Sequence, residues 1–332
     1  MNTQIVYALV SSEKDIYYEQ TLLSVFTLRH FNPDAKTTLV VDSETANNLN
    51  GPRSEIREYI DNVIVVKTPS ELNPLQQSRY LKTTLRNTIE GDFFYIDGDT
   101  IICGSLEGLD RIQADIAAVP DAHGIASLSP WYKSQSERVK KLFGVEIVPN
   151  SFYYNSGGIY VKDSKEARTF FEQWNKNWNI SVEKGCSLDQ PAFYYTDQQS
   201  GNLICRLDDI YNCQISCSFT YFHPSVVIHY WGSSANESNT YEWARKSFYM
   251  KIKKEGHLTE GVKNIALNCK TTIPTPSILL ANKDYYEFFN SEFGVRILKE
   301  YQKKSFFLKT IQYILCFYQK TTTLWKIYVK PQ

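Results

Sequence analysis

Phe93-Phe94-Tyr95-Ile96-Asp97-Gly98-Asp99 sets an apolar run directly against two carboxylates that stand two residues apart. The run, entered from Asp92, reads as a buried strand. Residues i and i+2 of extended backbone project to the same side, so Asp97 and Asp99 fall together where the strand stops. Gly98 between them leaves room for a ligand and lets the backbone turn. Two carboxylates on one side suit a hard divalent cation, which takes oxygen ligands. Such a cation bridges a diphosphate and neutralises it as a leaving group. Alone the pair is weak, because acids two apart recur by chance and also close strands as a polar turn.

Its placement strengthens the case. Upstream, Gln4 to Val10 reads as a first buried strand, followed by the polar loop Ser11-Ser12-Glu13-Lys14-Asp15. Leu22, Leu23, Val25, Phe26 and Leu28 mark one face of a helix that Asn32-Pro33-Asp34 stops. Thr37 to Val41 and Asn62 to Val66 are the next strands, with a short polar helix between them, and Ser78 to Asn87 is helical. Downstream, Asp115 to Val119 is a fifth strand, Asp163 to Trp178 an amphipathic helix, and Val226 to Ile228 a late strand. Strands alternating with helices predict an α/β domain with a largely parallel central sheet. In such sheets ligands sit beyond the carboxyl ends of the strands. Ser11 to Asp15, Asp97 to Asp99 and Asp121 all fall at those ends and are expected to share one cleft.

Composition narrows the function classes. The 332 residues carry 36 Lys and Arg against 36 Asp and Glu, without the basic excess of a nucleic-acid binder. Seven Cys, with no C-x-x-C, fit neither a zinc ribbon nor a secreted disulfide framework. The N-terminus shows no basic n-region and no run of about 18 apolar residues occurs; a cytoplasmic protein without a membrane span is expected. Neither a P-loop, nor G-x-G-x-x-G after the first strand, nor G-x-S-x-G is present. The chain changes character after about residue 236, predicting a catalytic domain over 1–235 and a helical, Lys- and aromatic-rich extension over 236–332.

Four further groups are candidates for a site. His229 closes the late strand and can supply a third metal ligand, although a lone His is as often structural. Asn155-Ser156-Gly157-Gly158 reads as a polar turn entering a strand, with Asn155 offering an amide to hydroxyls. Leu188-Asp189-Gln190-Pro191 reads as a helix start, with Pro191 at its first turn. Arg79 and Lys82, three apart, share a helical face that meets either a phosphate or solvent.

In this order the motifs resemble the family 8 glycosyltransferases, which include glycogenin and bacterial lipopolysaccharide galactosyl- and glucosyltransferases. The resemblance spans about residues 4 to 232 and marks a divergent member. It implies a GT-A fold, one Rossmann-like nucleotide-sugar-binding domain, a UDP-hexose donor, Mn²⁺ or Mg²⁺, and retention at the anomeric carbon. Ala8, Leu9, Val10 and Ser11 look like the strand and loop that hold uracil and ribose. Arg79 and Lys82 resemble the basic residues of the donor site, with Asp97 and Gly98 beside them. Asp97, Asp99 and His229 stand where the metal ligands are. Asp121, Asn155, Ser156 and Gly157 stand for sugar contacts, and Asp189 and Gln190 for the pair beside the reacting carbon. The family's late motif carries a diphosphate-binding Lys. None occurs from His229 to Asn236, which leaves Arg79, Lys82, Arg245 or Lys246 as candidates for that contact.

The expected activity is hexosyl transfer from UDP-glucose or UDP-galactose to a glycan or lipid-linked glycan. A non-catalytic nucleotide-sugar or glycan-binding protein and a sugar nucleotidyltransferase are the alternatives, the latter disfavoured by the missing Gly-rich loop. Residues 295–332 hold eight Lys or Arg and one acid, Glu300, among many aromatics. They predict either peripheral contact with the inner face of a membrane or a packed helix with a solvated Lys face.

Overall fold

The computed structural model describes residues 1–215, 217, 220–231, 241–270, 283–303, 305–311, 313, 314 and 318. The chain divides into two compact units, Met1–Pro276 and Ser277–Gln332.

The first unit alternates strands and helices: β1 (Gln4–Leu9), α1 (Tyr17–Phe31), β2 (Thr37–Asp42), α2 (Ser43–Asn47), β3 (Asn62–Val66), α3 (Pro74–Thr83), α4 (Leu85–Thr88) and β4 (Phe93–Ile96). There follow β5 (Thr100–Ile102), β6 (Ile116–Pro120), α5 (Tyr132–Phe143), β7 (Tyr154–Val161), α6 (Lys165–Glu183), α7 (Gln190–Gln199), β8 (Ile204–Arg206), β9 (Cys213–Gln214), β10 (Val227–His229), α8 (Lys246–Glu255) and α9 (Glu260–Leu267). Seven strands form the main sheet in the order β3-β2-β1-β4-β7-β6-β8. β1 pairs in parallel with β2 and β4, Gln4 to Val6 lying opposite Phe93 to Tyr95. β7 runs antiparallel to both β4 and β6. β1, β4 and β6 therefore point the same way, and their carboxyl ends meet the start of β7 at one edge. The mostly parallel α/β sheet agrees with the sequence reading.

Strand alternation sends Ile5, Tyr7 and Leu9 to one face and Val6 to the other, and both faces are covered, as a parallel sheet requires. α1, α8 and α9 contribute to the first cluster; Phe248, Tyr249, Ile252, Val262 and Ala266 lie in it, so these helices share the core of the first unit. α3, α6 and α7 cover the other face, with Trp174, Trp178, Phe170 and Phe171 as core residues, as the periodicity of α6 predicts.

Two local readings are corrected. The helix expected over 78–87 begins at Pro74, where Asn73 and Gln76 form a capping box, and it breaks at Thr84. Asn155 to Gly158 is not a turn but the interior of a fully buried strand, β7. Its polar side chains are paired within the protein, so polarity there does not signal solvent.

Of the three-stranded sheet β5-β10-β9, the sequence reading contains only the late strand expected at Val226 to Ile228, which is β10, and not its pairing with β5 and β9. It matters because antiparallel pairing sets His229 opposite Thr100, one residue past Asp99. No helix among the described residues is long and apolar enough to cross a membrane.

Candidate active site

The chain leaves β4 at Asp97, whose N–H donates to Gly157 O at 2.9 Å. Thr100 Oγ1 donates to Asp97 O at 2.9 Å, and Tyr230 N–H donates to Asp99 O at 3.2 Å. The acidic turn is thus pinned from β7, β5 and β10 together. Gly98 has a more specific reason than ligand access: a Cβ there would lie 2.3 Å from Thr21 Oγ1 on α1.

Asp97, Asp99 and His229 each offer a ligand atom, all within 4.8 Å of one another, and His229 Nε2 lies 3.4 Å from Asp99 Oδ1. His229 Nδ1 is 3.0 Å from Asn212 Oδ1. Asn212 Nδ2 donates to Asn155 Oδ1, which fixes the amide so that its oxygen accepts from Nδ1–H. That leaves Nε2 turned to the carboxylates, the arrangement in which imidazole binds metal. Burial pushes the His229 pKa down, but the Asp99 and Asp97 carboxylates outweigh it and the net shift is upward; the cluster attracts positive charge. A Cβ on Gly157 would come 2.4 Å from His229 Cε1 and 2.8 Å from Asp97 Oδ2. The donor set and the space kept by Gly157 fit a divalent cation.

Lys82, 2% exposed, is enclosed by this site. Its Nζ is 3.1 Å from Asp97 Oδ1, 3.3 Å from Asp189 Oδ2 and 3.4 Å from Ser156 Oγ. Tyr95, which sequence reasoning missed, donates its hydroxyl to Asp97 Oδ1. Asp189 precedes α7 but makes no side-chain cap. Its carboxylate accepts from Ser156 Oγ at 2.7 Å and pairs with Arg79 Nε at 3.2 Å. Burial alone raises the Asp189 pKa; Lys82, Arg79 and Ser156 overcome that and hold it at about 2. Burial likewise depresses the Arg79 pKa, but Asp189 and its acidic neighbours turn the net shift upward.

The chain from His229 through Asn212 and Asn155 ends at Asp121, where Asn155 Nδ2 donates to Oδ1 at 2.9 Å. Gln190 Nε2 reaches the same oxygen at 3.4 Å, and Gln135 Nε2 reaches Oδ2 at 2.8 Å. At the first strand, Leu9 is core, while Ala8 and Val10 are half-buried. Ser11 N–H donates to Thr45 Oγ1, Ser11 Oγ donates to Asp15, and Arg53 Nη2 donates to Ser11 Oγ at 2.7 Å.

The structure therefore joins Arg79, Lys82, Asp97, Asp99, Asp121, Asn155, Ser156, Gly157, Asp189, Gln190 and His229 in one linked constellation. Arg245 and Lys246 stand at the start of α8, and residues 232–236, where the late Lys is missing, lie outside the described residues. Sequence reasoning missed Asn212, Gln135, Tyr95 and Arg53. Tyr95 alone carried a signal, being two residues before Asp97 and so on its side of the strand.

No protein-family model and no curated protein matches the chain. Among solved structures, an active-site mutant of the LgtC glycosyltransferase is similar at TM-score 0.50 and 16% identity, covering 79% of this chain and 100% of that one. The galactosyltransferase LgtC in complex with donor and acceptor sugar analogues gives 0.49 and 15%, covering 79% and 99%. Mouse xyloside xylosyltransferase 1 gives 0.48 and 12%, covering 69% and 97%. The first of these carries the statement of fold: the chain has the fold of the GT-A glycosyltransferases.

Proposed function

We propose that the protein is a metal-dependent glycosyltransferase that moves a hexose from UDP-glucose or UDP-galactose to a glycan or lipid-linked glycan, with retention. The observation that carries this reading is the Asp97–Asp99–His229 cluster at the carboxyl edge of the sheet, with the His229 tautomer set by Asn212. Mn²⁺ or Mg²⁺ held there supplies charge stabilisation for a departing diphosphate.

The protein's own residues do the rest. Ala8 to Ser11 receive the nucleoside. Asp121, Asn155 and Gln190 hold the donor sugar and stabilise positive charge at its anomeric carbon. Lys82 is spent on Asp97 and Asp189, so the half-buried Arg79 is the better placed of the two to meet the diphosphate. Asp189 keeps Lys82, Arg79 and Ser156 in register.

Asp97→Ala and Asp99→Ala should each remove Mn²⁺-dependent turnover of the nucleotide sugar while the protein stays folded. Turnover at the unsubstituted rate in either variant rejects the site. The missing late Lys favours one other reading, a nucleotide-sugar-binding protein without transfer; donor binding by calorimetry with no hydrolysis or transfer would establish it. Peripheral attachment at the inner face of the membrane, through residues 295–332, is part of the same proposal.

A further inference from the structure

Asp121 and Asp189 are both buried carboxylates, 6% and 4% exposed, in opposite electrostatic settings. Asp189 lies between two cations, Lys82 and Arg79. Asp121 accepts instead from the carboxamides of Gln135, Asn155 and Gln190. Among the described residues no Lys or Arg forms an ion pair with it. A carboxamide N–H orients a carboxylate without cancelling its charge.

Asn155 and Gln190 are already site residues. Gln135 is not: it lies in the first turn of α5, fourteen positions after Asp121. Its orientation follows from chemistry. An ionised carboxylate only accepts, so Gln135 Nε2 faces Asp121 and Oε1 faces away. Gln135 Oε1 is buried and has no hydrogen-bond partner among the described residues. An orphaned buried acceptor is unfavourable, and a Leu or Met would fill the same space without one. The strain is reasonable if the amide's task is to hold Asp121.

We propose that Gln135 is a positioning residue for glycosyl transfer: with Asn155 and Gln190 it holds the Asp121 carboxylate, which no Lys or Arg among the described residues pairs with, directed at the positive charge that develops on the donor sugar. This rests on the transferase reading above. The two carboxylates then divide the work. Asp189, offset by Lys82 and Arg79, organises the site; Asp121 supplies the negative charge, and such divergent environments are how paired acids acquire separate roles.

The test uses the full chain with Mn²⁺ and UDP-glucose or UDP-galactose. Gln135→Leu keeps the volume and removes the donor to Asp121. Its kcat should fall about 10- to 100-fold, the scale on which misplacing a reacting group slows the step, with donor KM within about threefold because ground-state contacts remain. Gln135→Glu places a second carboxyl against Asp121. Two such groups share one proton, which preserves a donor to Asp121 until it is lost. Among the described residues, Tyr153, ahead of β7, and Cys217, after β9, interact electrostatically with Asp121, and Arg138, Asp189 and Cys186 act in turn on Tyr153. Burial first, and then acidic neighbours, raise both Tyr153 and Cys217, so neither ionises in the range tested. The kcat of Gln135→Glu relative to the unsubstituted protein should fall at least about tenfold between about pH 5.5 and about pH 8.5.

A Gln135→Leu kcat within twofold of the unsubstituted value, or a Gln135→Glu profile parallel to it, overturns the inference. Should Gln135→Leu fail to fold, the Gln135→Glu profile decides alone. If the unsubstituted protein turns over neither donor, the transferase reading falls and takes this inference with it.

Discussion

Asn212 shows how one residue governs a site it does not belong to. Its Oδ1 takes Nδ1–H of His229, and its Nδ2 is committed to Asn155 Oδ1. Asn212→Leu removes the tautomer control while His229 stays in place. Mn²⁺ affinity measured by calorimetry should fall about 10- to 100-fold, as for other partners of metal-binding imidazoles; an unchanged affinity would mean that Asp97 and Asp99 alone set binding. A residue outside the site makes a different point. Asp197, on α7, is 3% exposed and accepts from Ile204 N–H at 2.9 Å. Burial outweighs the Ile204 and Leu203 N–H bonds and raises its pKa to about 6. The folded protein then holds a proton that the unfolded chain, with an ordinary Asp, releases at lower pH. The associated stability is present below about pH 4 and is lost as pH rises through about 6. Asp197→Asn keeps an acceptor for Ile204 and carries no charge. Between pH 4 and pH 7 the unsubstituted protein should lose about 2 kcal/mol relative to this variant, read from urea midpoints at the two pH values. A constant difference would show that Asp197 does not titrate in that window.

At the scale of elements, the acidic turn depends on α1 as much as on β4. The Gly98 backbone passes so near Thr21 that a Cβ would sit 2.3 Å from Oγ1 and 3.3 Å from Cβ of that residue. Gly98→Ala should destabilise the fold by about 1 to 3 kcal/mol, as overpacking does. Thr21→Ala removes the closer atom, so the double variant should recover most of that loss in denaturant titrations. If it recovers none, the strain lies in the turn itself. The same elements explain what was legible beforehand. β1, β4 and β6 are uninterrupted apolar runs ending in polar residues, and both their burial and their functional ends could be read directly. β7 could not, because Asn155-Ser156-Gly157-Gly158 is polar and Gly-rich inside a buried strand. Its polarity answers Asp121, Asp189 and Lys82, which come from other elements. Its glycines answer His229 and Asn212. Asn212 and Gln135 were illegible for the same reason: their partners are about 17 and 14 residues away and meet them only through the fold.

For the whole molecule, charge is distributed against the impression that a zero net charge gives. The eight Lys and Arg and one acid of residues 295–332, taken from totals of 36 and 36, leave 28 basic against 35 acidic residues over 1–294. The larger part is therefore repelled by an anionic surface, and only the C-terminal part is attracted to it. Within Ser277–Gln332, the helix Glu292–Gln302 and residues 306 and 307 present Phe293 at 65%, Tyr301 at 63%, Phe306 at 84% and Phe307 at 59% exposure. Basic residues interleave with them at Arg296, Lys299, Lys303 and Lys309. Exposed aromatics that enter the headgroup region, together with lysines that meet anionic lipid, make two attachment signals of the kind stable peripheral binding needs. The full chain should float with vesicles containing phosphatidylserine and remain in solution with vesicles of phosphatidylcholine alone. Phe293→Ala, Phe306→Ala and Phe307→Ala combined should abolish flotation. Raising salt from about 0.1 M to about 1 M, which shortens the screening length from about 10 Å to about 3 Å, should weaken it. Flotation indifferent both to lipid charge and to the three aromatics would remove the membrane from this protein's function and leave a freely diffusing glycan as its acceptor.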